Sequence, residues 1–383
     1  MNTRTADAPI FEAGEKTRTS AGKMITLGTH VDTPNLIYHP DALHKWMKGE
    51  DFAPLYVELS PTAACNQSCF FCYIEDIRNS ISIEPSLLVK IVADMADAGV
   101  KSCEFQGTGE PLVNKGTPDA VVAGRERGMA ITMVTNGVLA SRDVLEKITP
   151  CLSFLRFSTL EPNAQIYAKS HSSPEDHFGK VLKAIENAVR IKHRDKLDTV
   201  IVGSVVCFEY NTPYIVETTK MLKDLGVDIV TAKTAIEVEA YNKKTFTQDL
   251  HVTYAEEFAA AKALSDENFT FNLRTDFFEY SKDPKAVKRD FTYCYGCDFE
   301  VMLDADACLY PCMILWRNEK YRLGDLSKGK SFKDVWFSQE RKDAMAKFVA
   351  DHKNPVCDCK CKQFAIHPLL NKLKNPPLHV DVI

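Results

Sequence analysis

Between residues 55 and 233 the chain alternates short apolar runs with amphipathic stretches, and this alternation limits the fold more than any other feature. Residues 55–59, 101–106, 130–135, 154–158, 199–206 and 227–233 have the length and composition of strands. Helical patterns lie between them at 84–98 (stopped by Gly99), 119–128, 141–148, 173–191 and 213–225. The fourth of these opens Ser173-Pro174-Glu175-Asp176: a capping Ser, Pro at the first position and acids at the positive end of the dipole. Strand–helix alternation of this kind implies a parallel sheet with helices outside. Six units are too few to close like the eight-unit barrel, and functional groups on such sheets gather at the carboxyl ends of the strands.

The first strand leads straight into Cys65-Asn66-Gln67-Ser68-Cys69-Phe70-Phe71-Cys72-Tyr73, a C-x3-C-x2-C spacing. Three thiolates can hold three corners of a cubane iron–sulfur cluster, whose usual complement is four Cys. The missing fourth ligand leaves one iron open, and an open metal position is where a substrate or cofactor binds. A structural zinc site would want four ligands. A redox pair with a spare thiol, or three buried thiols, are the other readings of the spacing.

The chain around this loop narrows the choice. Residues 1–20 are polar, with no hydrophobic core segment for a secretory signal. No apolar run approaches the roughly 18 residues needed to span a bilayer. The expected location is therefore cytoplasmic, where 13 cysteines are not a disulfide framework and thiols at metal spacing bind metal or do chemistry. A formal charge of −5 argues against a general affinity for nucleic acid. Cys103, Cys151 and Cys207 fall in or beside strands and are expected to be small buried hydrophobes.

The cysteine spacing, with an aromatic residue just before the third Cys, resembles the radical S-adenosylmethionine (radical SAM) superfamily. The fold class that the resemblance implies is α/β: a partial (β/α)6, TIM-like radical SAM barrel. A [4Fe–4S] cluster on Cys65, Cys69 and Cys72 would bind SAM at its open iron, and an electron donor such as flavodoxin or ferredoxin is implied. Gly107-Thr108-Gly109-Glu110-Pro111, after the second strand, resembles the family's Gly-Gly-Glu-Pro segment, with Thr108 in place of a Gly. By resemblance Gly107, Gly109 and Glu110 bind the amino group of SAM, Phe71 and Tyr73 lie along its adenine, and Ser158 reaches the ribose. Asn136, Asn211 and Lys233 follow the third, fifth and sixth strands and face the same pole, Asn136 being expected among the cofactor-binding residues.

A second cysteine-rich unit begins near residue 291 and holds Cys294, Cys297, Cys308, Cys312, Cys357, Cys359 and Cys361. Residues 301–312 read as a β-hairpin that delivers Cys312. With Leu323-Gly324-Asp325-Leu326 and Ser331-Phe332-Lys333-Asp334-Val335-Trp336, this unit resembles the SPASM/twitch extension, which binds auxiliary clusters. Two departures stand out: Ala307 replaces the hairpin Gly, and the distal cysteines run Cys357-Asp358-Cys359-Lys360-Cys361. One auxiliary [4Fe–4S] cluster is expected, on Cys312, on Cys294 or Cys297, and on two of the distal three. The expected division is a tail and short helix (1–52, the first 22 residues flexible), a radical SAM core (53–235), a linker or substrate-covering insertion (236–290) and the auxiliary unit (291–383).

The expected activity is hydrogen abstraction from an unactivated C–H of a small polar substrate, a sugar or aminocyclitol. Dehydrogenation would use the auxiliary cluster as electron acceptor, while epimerisation would use Cys308 as hydrogen donor. Maturation of a ribosomal peptide is the alternative. Members that do this often carry an N-terminal leader-binding domain, for which residues 1–52 leave little room. A non-catalytic zinc-binding module is the third reading.

Overall fold

The computed structural model describes residues 16–18, 24–26, 34–75, 78–158, 160–235, 249–275, 277–278, 294–351, 363–376 and 378. Strands are numbered β1 to β12 in chain order. β1 (Lys16–Arg18) and β2 (Met24–Thr26) form an antiparallel pair of their own. The remaining ten make one open sheet in the order β12-β11-β10-β3-β4-β5-β6-β7-β8-β9.

Its centre is the six expected strands: β3 (Tyr56–Leu59), β4 (Ser102–Phe105), β5 (Ala130–Thr135), β6 (Leu152–Phe157), β7 (Val200–Cys207) and β8 (Ile229–Thr234). All six are parallel. The fold is thus α/β with a partial, unclosed barrel.

The sheet is longer at both ends than the sequence suggests. β9 (Thr270–Leu273), within the stretch expected to be a linker or covering insertion, pairs parallel with β8. β10 (Glu300–Leu303) pairs parallel with β3. It turns into β11 (Cys308–Tyr310), which is antiparallel to β10 and to β12 (Gly324–Asp325). The C-terminal hairpin therefore continues the core sheet.

Alternation along each strand gives the sheet two unlike faces. Val57, Leu59, Cys103, Phe105, Ile131, Met133, Leu155, Phe157 and Ile201 pack with the helices in the main core. The alternate positions Glu58, Glu104, Thr132, Arg156, Ser204, Thr231 and Lys233 turn to the opposite, concave face. Strands of an ordinary doubly covered parallel sheet are apolar on both faces, so charge on this one marks it as the working face.

Helix ends follow their local chemistry. Helix Pro85–Ala98 has Glu84 as its cap, the carboxylate accepting from Leu87 N, and ends at Gly99 with φ 104°. Helix Arg142–Ile148 is capped by Ser141. The expected start at Ser173 is displaced: the helix is Asp176–Asp195, Glu175 caps it without a side-chain bond, and the buried Ser173 hydroxyl lacks a partner. Helix Ala164–His171, capped by Asn163, sits in the connection before it. Lys192 and Asp228, both buried, pair at 2.5 Å, and Asp228 also accepts from Ile201 N, tying that helix to the base of β7. Cys103 and Cys207 are buried as expected, while Cys151 is half-buried.

Candidate active site

The cysteine loop leaves the carboxyl end of β3, where parallel sheets carry their sites. Its backbone is fixed from two sides. Ser68 N and Phe70 N donate to His171 O and Ser170 O, and the Gln67 amide donates to Tyr167 Oη at 2.8 Å. Arg78 Nη1 donates to Gln67 O at 2.5 Å. Phe70 and Phe71 pack edge to face, and Phe71 also meets His171 and Phe208.

Cys65, Cys69 and Cys72 are half-buried. Burial pushes all three thiols up, Cys69 most, with its neighbours Cys72 and Cys65 adding like charge and Arg78 opposing. The three sulfurs thus share one electrostatic neighbourhood. Among the described residues no three Cys, His, Asp or Glu side chains already converge as a metal-ligand set.

The second loop presses on the first. A Cβ on Gly109 would lie 2.1 Å from Ala64 O, and one on Gly107 (φ 136°) 2.3 Å from Ser60 Cβ. Glycine is required at both for close backbone approach. Glu110 N donates to Ala64 O at 3.0 Å. The Glu110 carboxylate is buried and accepts from Thr135 Oγ1 (2.6 Å), Leu112 N (3.1 Å) and Asn136 N (2.7 Å). Burial raises its pKa while these three bonds oppose the shift. A carboxylate has about four acceptor positions, so one remains for an ammonium. Glu110 is first a latch between the ends of β4 and β5.

Asn136 also serves the loop. Its amide donates to Asn66 Oδ1 at 2.7 Å and lies 4.0 Å from Cys65 Sγ. The Ser158 hydroxyl donates to Thr135 O at 3.1 Å. Asn211 is spent on Glu161, Val206 O and Phe208 N. Lys233 lies over the Phe277 ring, 5.1 Å from its centroid. The pole thus gathers the expected residues, and several of them hold the loops together.

The donor chemistry and the packing fit a cubane cluster with a bound cofactor. Three thiols on one loop supply cluster ligands. Asn66 Nδ2 and Gln67 Oε1, beside Cys65, are buried polar atoms without partners. Buried polar groups are normally satisfied, so both are available to a ligand at this pole.

Cys308 begins β11 beside the same pole. It packs with Ile74, Met302, Tyr310 and Trp316, and Cys72, Tyr73 and Met313 close over that cluster. Burial and the carboxylates of Asp306 and Asp325 push its thiol up to about 12. Cys294, Cys297 and Cys312 lie at the far end of the strands. Register places Cys312 opposite Glu300, at the amino end of β10. Glu58, Glu300, Met302, Cys312 and Gln363 line one pocket there. Buried Cys294 and Cys297 direct their sulfurs to Gln363 Oε1 at 3.9 and 3.5 Å, and Cys312 adds like charge to Cys297. Cys357, Cys359 and Cys361 lie outside the described residues.

Sequence reasoning did not single out Gln67, Arg78 or Gln363. Only the position of Arg78, just beyond Cys72, carried a signal.

Residues 59–222 match the Radical SAM superfamily. The chain carries a radical SAM domain over these residues, and proteins of that superfamily work with a [4Fe–4S] cluster and SAM. It is 26% identical over 287 residues to the GTP 3',8-cyclase of Chlorobaculum tepidum, covering 72% of this chain and 82% of that relative. The fold is similar to Streptococcus suis SuiB bound to precursor peptide SuiA: TM-score 0.60, 16% identity, 82% of this chain and 71% of that one. It is also similar to anSMEcpe with bound AdoMet: TM-score 0.53, 16% identity, 82% of this chain and 88% of that one. The zinc-module reading gives way to this family match.

Proposed function

We propose that this enzyme inverts a carbon centre of a small polar substrate, a sugar or aminocyclitol, bound against the concave face, with Cys308 as the hydrogen donor. The observation that carries the reading is the placement of Cys308, in one packed cluster with Cys72 and Tyr73 of the cysteine loop.

Cys65, Cys69 and Cys72 would hold the [4Fe–4S] cluster. Gly107 and Gly109 would let the backbone approach SAM, the free acceptor position of Glu110 would meet its ammonium, Phe71 and Tyr73 its adenine, and Ser158 its ribose. Bound together, the two groups would supply the hydrogen-abstracting power that acts on a substrate C–H.

The chain's own part follows. A thiol held up to about 12 stays S–H at neutral pH, the form that can give a hydrogen atom. Cys308 delivers it to the carbon from the face opposite the abstraction. The resulting thiyl takes up one electron from an external donor such as flavodoxin or ferredoxin and one proton from solvent. Cys312, Cys294 or Cys297, and two of the distal three cysteines would hold one auxiliary [4Fe–4S] cluster. An auxiliary cluster held there would supply electron-accepting capacity, the chemistry that dehydrogenation needs.

A small polar substrate is supported by the charged lining of the concave face and by the relative named for GTP. Peptide maturation is the second reading, favoured by the likeness to SuiB, whose structure holds a precursor peptide.

The test is turnover in deuterium oxide with SAM, dithionite and panels of sugars, aminocyclitols and peptides. A thiol hydrogen exchanges with solvent, so one deuterium should enter at the inverted carbon. Cys308→Ala should keep its iron, still form 5′-deoxyadenosine and lose the inverted product. A two-electron-oxidised product made at full rate by Cys308→Ala rejects the inversion and favours dehydrogenation. Turnover confined to peptides moves the reading to the second one.

A further inference from the structure

Thr108 is the residue at which this chain departs from a plain glycine pair, and the structure shows what the departure holds. Its hydroxyl is 2.9 Å from Ser60 Oγ, and its N–H donates to the same oxygen at 3.2 Å. Ser60 Oγ also lies 3.2 Å from Thr62 O, in the backbone that leads to Cys65. On its other side the Thr108 hydroxyl reaches Asp304 Oδ1 at 3.4 Å, and Arg317 Nη2 donates to Thr108 Oγ1 at 3.3 Å. Arg317 Nε donates to Asp304 Oδ2 at 2.8 Å. Asp304 closes the carboxyl end of β10, and Arg317 follows β11.

Ser60, Thr108 and Asp304 are all 2% exposed or less. Arg317 has φ 53°, a left-handed backbone that a residue with a Cβ adopts only when its surroundings hold it there. Charge-assisted bonds are the stronger ones, and here one ion pair braces a hydroxyl between two glycines that admit no Cβ. The hydroxyl in turn braces the start of the cysteine loop.

We propose that Asp304 and Arg317 are positioning residues. Through Thr108 they hold the 107–110 loop against the cysteine loop, so that the C-terminal hairpin sets the affinity of the core for SAM. This rests on the reading that the 107–110 loop binds SAM. Asp304 and Arg317 then contribute to cofactor binding through Thr108, without themselves touching the reacting atoms.

The test uses the full chain with its clusters reconstituted, and measures SAM affinity by equilibrium dialysis beside iron content and Tm. Thr108→Val removes only the hydroxyl and keeps the shape. Arg317→Met removes the charge. Each should bind SAM roughly tenfold or more weakly, the loss of one buried hydrogen-bond partner, with iron content unchanged. KM for SAM should rise in 5′-deoxyadenosine formation while kcat holds. Thr108→Ser should restore most of the affinity. The double variant should be no weaker than the poorer single one, because both act through one network. If Arg317→Met fails to fold, Thr108→Val and Thr108→Ser decide alone. Wild-type affinity in Thr108→Val overturns the proposal, as do fully additive losses. A wild-type holoenzyme that binds no SAM overturns the underlying reading as well, and so separates the two failures.

Discussion

Gly109→Ala tests the contact between the two loops directly. The added Cβ would meet Ala64 O at 2.1 Å, Thr62 O at 2.6 Å and Ala63 C at 2.8 Å. All three are backbone atoms of the segment that ends in Cys65, so no side chain can swing aside. Restoring an ordinary contact needs about 1 Å of movement, since close-packed interiors hold no spare room. The same peptide accepts from Glu110 N at 3.0 Å, and that bond is stretched or lost. Overpacking costs about 1–3 kcal/mol, with about 1 kcal/mol more for the bond. Catalysis should suffer more than stability, because a 1 Å misplacement costs on the order of 100-fold.

The assay is anaerobic reconstitution, iron per chain, and 5′-deoxyadenosine formation with dithionite and SAM. Gly179→Ala is the control. Gly179 is exposed within helix Asp176–Asp195, and its Cβ would meet nothing within 4 Å. That variant should gain roughly 0.5–1 kcal/mol in stability and keep its rate. If Gly109→Ala cleaves SAM at the wild-type rate with an unmoved Tm, the loop contact has no role in the site.

Replacing Cys65, Cys69 and Cys72 together by Ala should abolish SAM cleavage and lower iron from about eight to about four per chain; complete loss, or no change, contradicts two separate clusters. Burial pushes Glu161 up from 4.5 to about 7, so the native state binds its proton more tightly than the unfolded one. That contribution is fully present below about pH 4.5 and fades as pH rises to about 7, a span worth at most about 3 kcal/mol. Glu161→Gln should flatten this part of the stability–pH curve in denaturant titrations and be the more stable protein at pH 8; an unchanged curve contradicts the assignment. Lys192→Met leaves Asp228 buried without its partner and should cost about 3–5 kcal/mol, read from the denaturant midpoint. A loss below 1 kcal/mol would show the pair to be solvated.

The six central strands and their helices were legible from the sequence because alternation and caps are local signals: Glu84 and Ser141 cap where they stand. The cysteine loop was legible because C-x3-C-x2-C concentrates its chemistry in nine consecutive residues. The edges of the sheet were not. The 301–312 hairpin was expected but not its parallel pairing with β3, and β9, four residues long, becomes a strand only by pairing with β8. Ala307 shows the same division. The sequence marks it as a missing Gly, and the structure places it at φ 60° in the hairpin turn, where Asp304 O accepts from its N–H.

What the sequence determined by itself was the fold class, with the cysteine loop following the first strand of the core. Only the tertiary structure decided that Glu110 is a latch, that Asn136 steadies Cys65 and that Cys308 shares a cluster with Cys72. It also decided that Cys294, Cys297 and Cys312 stand at the opposite end of the strands. The reason is physical. Propensity and periodicity act within a few residues of chain, while Thr108 meets Asp304 and Arg317 across 196 and 209 residues of sequence. Those contacts exist only once the hairpin has joined the sheet.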